Sequence, residues 1–148
     1  MAKELKQFII KKLRESTEKD VDSDIEWVCN SLGFVTPRDQ DKTAFKILKA
    51  LIGSAKEGRG MTSEELTNLV EPTIGSVIYH LKKLMKAGLV VKLDSTYELR
   101  MKSLLTTIEE IHKDVDMTLT DIKKVAEDMD NKLGLGHREN KEVIKKTL

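Results

Sequence analysis

Residues 61–89 read MTSEELTNLVEPTIGSVIYHLKKLMKAGL, and the spacing within this stretch decides the fold. Thr62 is followed three residues later by Glu65, the pattern in which a hydroxyl and a carboxylate each satisfy a free amide at a helix start. A helix is therefore expected from Thr62, with Leu66, Leu69 and Val70 on its apolar side. Pro72 ends it, because proline pushes the residue before it out of helical geometry. Thr73 can cap a second helix, in which Val77, Leu81, Leu84 and Met85 share one face while Tyr79, Lys82, Lys83 and Lys86 fall largely away from it. Gly88 supplies the left-handed residue that closes a helix. Two short helices joined by a tight turn, the second basic on its outer side, form the arrangement that seats a helix in a major groove.

The rest of the chain is read as support for that stretch. A chain of 148 residues makes one domain with helical additions. With 34% charged, 39% hydrophobic and 4% aromatic residues it suits a helix-rich fold better than a sandwich or barrel. No apolar run approaches the roughly 18 residues of a membrane span, and the amino terminus lacks the pattern of a signal peptide, so a cytoplasmic location is expected. Cys29 is the single cysteine. It falls in the apolar pattern Ile25, Val28, Cys29, Leu32 and is expected to be a core residue; a redox-sensing thiol is the alternative, without a basic neighbour to favour the thiolate. The net charge of +1 is low for a protein relying on non-specific phosphate attraction. Charge is nevertheless local: no acidic residue occurs between Thr73 and Lys92.

In chain order, residues 2–18 place Leu5, Phe8, Ile9 and Leu13 on one side of an expected amphipathic helix, with Lys3, Lys6, Lys11, Lys12 and Arg14 around it. Packing on the domain or on a partner subunit is the expectation, with a membrane-surface role as the lesser alternative. Asp22 or Ser23 can cap a helix carrying Ile25, Trp27, Val28 and Leu32, ended by Gly33, with Trp27 expected to be largely buried. Pro37 is suited to a first helical turn. Across residues 41–55 the apolar face of Ala44, Phe45, Ile47, Leu48, Leu51 and Ile52 is broad enough for the central helix of the core. Residues 56–60 form a polar loop, and residues 89–93 and 96–100, separated by Asp94-Ser95, read as a two-stranded hairpin.

Helix, helix, helix, hairpin is the order of a winged helix. The fold class is therefore mainly α, a winged helix-turn-helix with a small two-stranded β-hairpin and added terminal helices. Glu65-Leu66, Val70, Thr73, Val77, the run His80-Leu81-Lys82-Lys83-Leu84 and the run Ala87-Gly88-Leu89-Val90 make the chain resemble winged helix-turn-helix transcriptional regulators of the ArsR/MarR kind, including their small archaeal members. The resemblance covers roughly residues 41–100 and implies a homodimeric regulator that binds double-stranded DNA. By position, it places Thr73, Gly75, Ser76, Tyr79, Lys82 and Lys83 near DNA, and Lys86 continues their face. Ser76 and Tyr79 would meet base edges, while Thr73 and the lysines would meet phosphates. The metal-ligand cysteine pairs of metal-sensing members do not occur in this sequence.

After residue 101, Leu104, Ile108, Ile111, Val115, Leu119, Ile122, Val125, Met129 and Leu133 follow at three- and four-residue steps, with an extra four-step from Val115 to Leu119. A long amphipathic helix is expected, continuous or broken near Thr118 with Thr120 as a new cap. Leu104, Ile108, Ile111, Val115, Leu119, Ile122 and Met129 are its candidate dimerisation residues, in coiled-coil-like pairing. The expected organisation is a helical extension at 1–36, the DNA-binding domain at 37–100, the long helix or helical hairpin at 101–136 and a charged tail at 137–148.

His80 is expected to play a hydrogen-bonding structural part. His112 and Asp116 stand four residues apart but lack an evident third ligand, so a solvated pair is expected rather than a metal site. No phosphate cradle, nucleophile elbow or zinc-protease helix occurs, and no enzyme, cofactor or metal is expected. The function class left beside the DNA-binding regulator is a winged helix serving as a protein-interaction module.

Overall fold

In the computed structural model the described residues are 5–15, 17–34, 42–70 and 73–136. The chain divides into two compact units, Met1–His112 and Lys113–Leu148. The first contains helices α1 (Val21–Ser31), α2 (Thr43–Lys56), α3 (Ser63–Val70) and α4 (Ile74–Lys86), together with strands β1 (Met61–Thr62), β2 (Val90–Leu93) and β3 (Thr96–Leu99). Helix α5 (Leu104–Leu133) begins in the first unit and continues through the second.

Each helix starts and stops where local chemistry dictates. The Asp20 carboxylate accepts from the Ser23 amide at 2.8 Å and caps α1. The cap is therefore Asp20 rather than Asp22 or Ser23, which lie inside the helix. At α3 the reciprocal pair forms as read: Glu65 N–H donates to Thr62 Oγ1 at 3.1 Å, and Thr62 N–H donates to Glu65 Oε1 at 3.2 Å. Thr73 caps α4 by accepting from the Ser76 amide at 3.2 Å. Pro37 and Pro72 lie outside the described residues, as does the tail from 137 onward.

Helix α2 is the centre of the core, with Ala44, Ile47, Leu48 and Leu51 almost wholly enclosed. Around it close Leu66 and Val70 of α3, Val77, Leu81 and Leu84 of α4, Ile25 and Cys29 of α1, and Leu89, Val90, Tyr97 and Leu99 of the sheet region. Cys29 is thus a core residue. Leu69, expected on the buried side of α3, is instead exposed. Leu66 and Val70 are four residues apart and occupy the contact with α2 and α4, which leaves Leu69 on the outer flank of a helix only two turns long.

The hairpin forms in the register Val90 to Leu99, Val91 to Glu98, Lys92 to Tyr97 and Leu93 to Thr96. Asp94, at φ +55°, makes the first turn residue. The sheet has three strands rather than two, in the order β1-β3-β2. Strand β1 pairs Met61 with Tyr97 and Thr62 with Thr96. Two residues are too few to show alternation, so β1 left no periodic signal. The crossing brings Gly60 so near the hairpin that a Cβ there would stand 2.8 Å from Thr96 Oγ1 and 3.0 Å from the Tyr97 carbonyl oxygen.

The amino-terminal segment corrects the helical expectation: residues 5–15 carry no helix. They form an arm whose amides finish two other helices. The last four carbonyls of a helix have no partner within it. In α4, those of Lys83, Leu84 and Met85 accept from Ala87, Leu89 and Gly88, and that of Lys86 accepts from Gln7 at 3.1 Å. In α1, those of Val28, Cys29 and Asn30 accept from Leu32, Phe34 and Gly33, and that of Ser31 accepts from Lys11 at 2.8 Å. Trp27 is half-buried rather than enclosed, and its indole N–H donates to the Arg14 carbonyl at 2.9 Å. An isolated helix this short is marginal in water, and here the amides have better-placed acceptors.

Helix α5 is unbroken from Leu104 to Leu133, with the Thr118 hydroxyl bonded back to the Asp114 carbonyl at 2.9 Å. It starts at Leu104 because Ser103 and Thr106 cap each other, Thr106 N–H donating to Ser103 Oγ at 3.1 Å and Ser103 N–H to Thr106 Oγ1 at 3.2 Å. Within the first unit Ile111 and Thr107 are buried. Among the described residues no helix is long and apolar enough to cross a membrane.

Candidate nucleic-acid interface

Helix α4 is positioned by its apolar side and displays the other. Val77, Leu81 and Leu84 are wholly enclosed. Gly75, Tyr79, Lys82 and Lys86 follow one another at steps of four, three and four and form a single stripe on the opposite face. All four are exposed, as are Thr73 and Lys83, while Ser76 is half-buried. The structure thus brings every candidate DNA-contacting residue onto α4 or its cap. Ile78 and Met85 lie at the flanks, partly covered.

The two ends of the stripe differ in chemistry. At the amino end, a Cβ added to Gly75 would meet only Thr73 Oγ1, at 3.9 Å, so another backbone can come close. The first turn of a helix carries partial positive charge, which favours an approaching phosphate. The carboxyl half carries three lysines and no carboxylate. Between the ends stands Tyr79, 55% exposed, with two neighbours against its ring. Lys83 Nζ lies 4.9 Å from the centre of its ring, and His80 meets it edge-on at 5.2 Å with an interplanar angle of 76°. These contacts restrain an aromatic ring that would otherwise move freely, the form of preorganisation a base-contacting side chain needs.

The wing supplies a different surface. Its turn carries Asp94, and its outermost apolar residue, Leu93, is exposed. Lys92 folds back so that its Nζ lies 5.5 Å from the centre of the Tyr97 ring across the hairpin. The tip itself therefore presents no cation.

The candidate dimerisation residues divide by position along α5. Ile111 is buried within the first unit, and Leu104, Ile108 and Val115 are partly covered. Leu119, Ile122 and Met129 are 48%, 58% and 54% exposed, in line with Val125 and Leu133, which are also exposed. His112 and Asp116 are both exposed, and among the described residues no group of three or more His, Cys, Asp and Glu side chains is placed to hold a metal ion.

Residues 41–92 match the model of the bacterial regulatory protein, arsR family. The match spans roughly a third of the chain and takes in α2, β1, α3, α4 and most of the first strand of the wing. It supports a DNA-binding transcriptional regulator built on a helix-turn-helix, and it is a match to a regulatory rather than a catalytic domain. Neither the curated proteins nor the solved structures compared with the chain include a match. The arm at 5–15, the second wing strand β3 and helix α5 lie outside the matched residues. Of these, the arm's place beside α4 was missed by sequence reasoning, because its apolar spacing imitates that of a helix.

Proposed function

We propose that the chain is a transcription regulator that reads double-stranded DNA by laying α4, with its cap at Thr73, in the major groove. The observation that carries this reading is the exposed stripe of Gly75, Tyr79, Lys82 and Lys86 opposite a fully enclosed Val77, Leu81 and Leu84. Ser76 and Tyr79, near the amino end, are suited to base edges. Thr73, Lys82, Lys83 and Lys86 are suited to phosphates, fixing register without reading sequence. The domain from 37 to 100 is the reader and α5 the dimerisation element. The exposed row Leu119, Ile122, Val125, Met129 and Leu133 supports a homodimer, since a second copy of the same helix would cover it. In a two-fold dimer the half-sites stand about 34 Å apart, or a multiple of that.

Selection of duplexes from a random pool, followed by anisotropy titrations over a salt series, tests the reading. Lys82→Ala with Lys83→Ala should weaken binding about tenfold or more and lower the salt slope by about one for each lost phosphate contact. Absence of binding to any duplex, or binding indifferent to salt, overturns it. Light scattering on the full chain should give a dimer at micromolar concentration, and Ile122→Glu should split it. A monomeric wild-type protein would remove the dimer while leaving the reader. The wing favours one other reading: with Asp94 at its turn and Leu93 exposed, it is better suited to a protein surface than to phosphates. Retained capture of a protein partner by the Lys82/Lys83 variant, without duplex binding by the wild type, would establish that module instead.

A further inference from the structure

The fold brings together two basic segments that the sequence keeps some 70 residues apart. From Leu5 to Arg14 the chain contains Lys6, Lys11, Lys12 and Arg14 and no carboxylate, and from Thr73 to Leu93 it again contains none. The hydrogen bond from Gln7 N–H to the Lys86 carbonyl fixes the first segment against the last turn of the second. A shallow crevice lined by Gln7, Ile9, Gly33, Lys83 and Ala87 shows that the arm crosses beside Lys83, on the recognition helix itself. The chain as a whole has a net charge of only +1, so this junction concentrates positive charge that the rest of the molecule balances.

The arm is held by its backbone, which leaves its cations available. Gln7 and Lys11 are anchored through their amides and Arg14 through its carbonyl, not through charged groups. Lys6, Lys11, Lys12 and Arg14 are all exposed. Among the described residues none of the four is held in an ion pair, and Glu15, the carboxylate that follows Arg14 in sequence, faces Lys19 at 3.8 Å. Between Lys6 and Arg14 the chain can reach at most about 28 Å, the axial rise of roughly eight phosphates of one strand.

We propose that the arm is a second DNA-contacting element, which sets Lys6, Lys11, Lys12 and Arg14 against the phosphates flanking the groove that α4 enters. It rests on the reading of α4 as the helix that reads DNA. The arm adds affinity and none of the sequence preference, because phosphates carry no base identity. It also supplies charge that the Asp94 wing does not.

The test compares the full chain with a variant carrying Lys6→Gln, Lys11→Gln, Lys12→Gln and Arg14→Gln, and with a second variant in which the three lysines become arginine. The glutamine variant should bind duplex at least tenfold more weakly at physiological ionic strength. The slope of log affinity against log salt should fall by about two or more, since each phosphate contact contributes about 0.9. Discrimination between preferred and scrambled duplexes should be unchanged, and the arginine variant should match the wild type. Lysine acylation of the unaltered protein gives a readout independent of any variant's folding: Lys6, Lys11 and Lys12 should become protected when DNA is added. An unchanged slope with these lysines still reactive while Lys82 and Lys83 are protected overturns the arm proposal and leaves the α4 reading standing. Failure of the wild type to bind any duplex overturns both. Co-sedimentation of the wild type with phosphatidylserine vesicles, lost in the glutamine variant whose DNA slope is unchanged, assigns the arm to an anionic lipid surface and overturns it as well.

Discussion

Helix α4 and the amino-terminal arm are made of nearly the same ingredients, a few apolar residues at three- and four-residue steps among lysines, yet one is a helix and the other is not. Three residues of α4 are wholly enclosed, Thr73 caps its start and Gly88, at φ +85°, closes its end. The arm has none of these. Leu5, Ile9, Ile10 and Leu13 are 83%, 48%, 61% and 39% exposed, and its order comes from two amides that complete the carboxyl ends of α4 and α1 and from the Trp27 indole on the Arg14 carbonyl. A helical stripe is stable when something covers it and something stops it. Without both, the backbone groups go to the strongest acceptors at hand, which here are the final carbonyls of other helices.

The contrast predicts which residue carries which element. Leu81→Ala should have the largest effect, because Leu81 is wholly enclosed and its loss leaves a cavity at the centre of the core. A loss of about 3 kcal/mol of unfolding free energy by chemical denaturation is expected, within the usual range for such truncations. DNA binding should fall with it. Gly33→Ala should cost less, about 1–2 kcal/mol, since an alanine would be held at φ +74°, where L-residues are strained. Its Cβ would also stand 2.8 Å from Ile9 Cγ2, so the arm is expected to lift while the helices stay folded. Trp27, the single tryptophan, reports this directly: release of its indole from the Arg14 carbonyl should change its emission, and the amides of Gln7 and Lys11 should lose protection from hydrogen exchange. If Gly33→Ala unfolded the protein as fully as Leu81→Ala, the arm would be part of the core and the contrast would fail.

The same contrast explains what could be read in advance. The caps at Thr62 and Thr73, the closing Gly88, the broad face of α2 and the hairpin about Asp94-Ser95 are all written in contiguous residues, and each formed where its chemistry placed it. The candidate site was legible for that reason: Tyr79, Lys82, Lys83 and Lys86 needed only helical periodicity and the position of Val77, Leu81 and Leu84 to be set outward. What escaped depends on distant partners. Strand β1 exists because Met61 and Thr62 lie beside Tyr97 and Thr96, a pairing no local pattern encodes. Leu69 fits its helix's apolar spacing and has nothing to bury against. The arm's anchors are carbonyls of Ser31 and Lys86, which belong to other elements and carry no side-chain signature.

The smallest expected effect separates the two elements by proton. The Thr62 amide and hydroxyl, with help from Arg59, hold the Glu65 carboxyl below its ordinary value of 4.5. A group whose folded value is depressed adds stability that is fully present above its unfolded value and disappears as pH falls through the folded one. The helix-turn-helix should therefore lose a small part of its stability below about pH 4.5, and Glu65→Gln should abolish that part of the dependence. In denaturation midpoints followed from pH 6 to pH 3, the wild type and Glu65→Gln should differ most at the upper end and converge at the lower. The arm's hydrogen bonds join two amides and the Trp27 indole N–H to carbonyls and contain no titrating group, so the Trp27 signal of its seating should stay level while the Glu65 contribution fades. A seating signal that fell in step with Glu65 protonation would mean that the arm depends on the α3 cap rather than on the ends of α1 and α4.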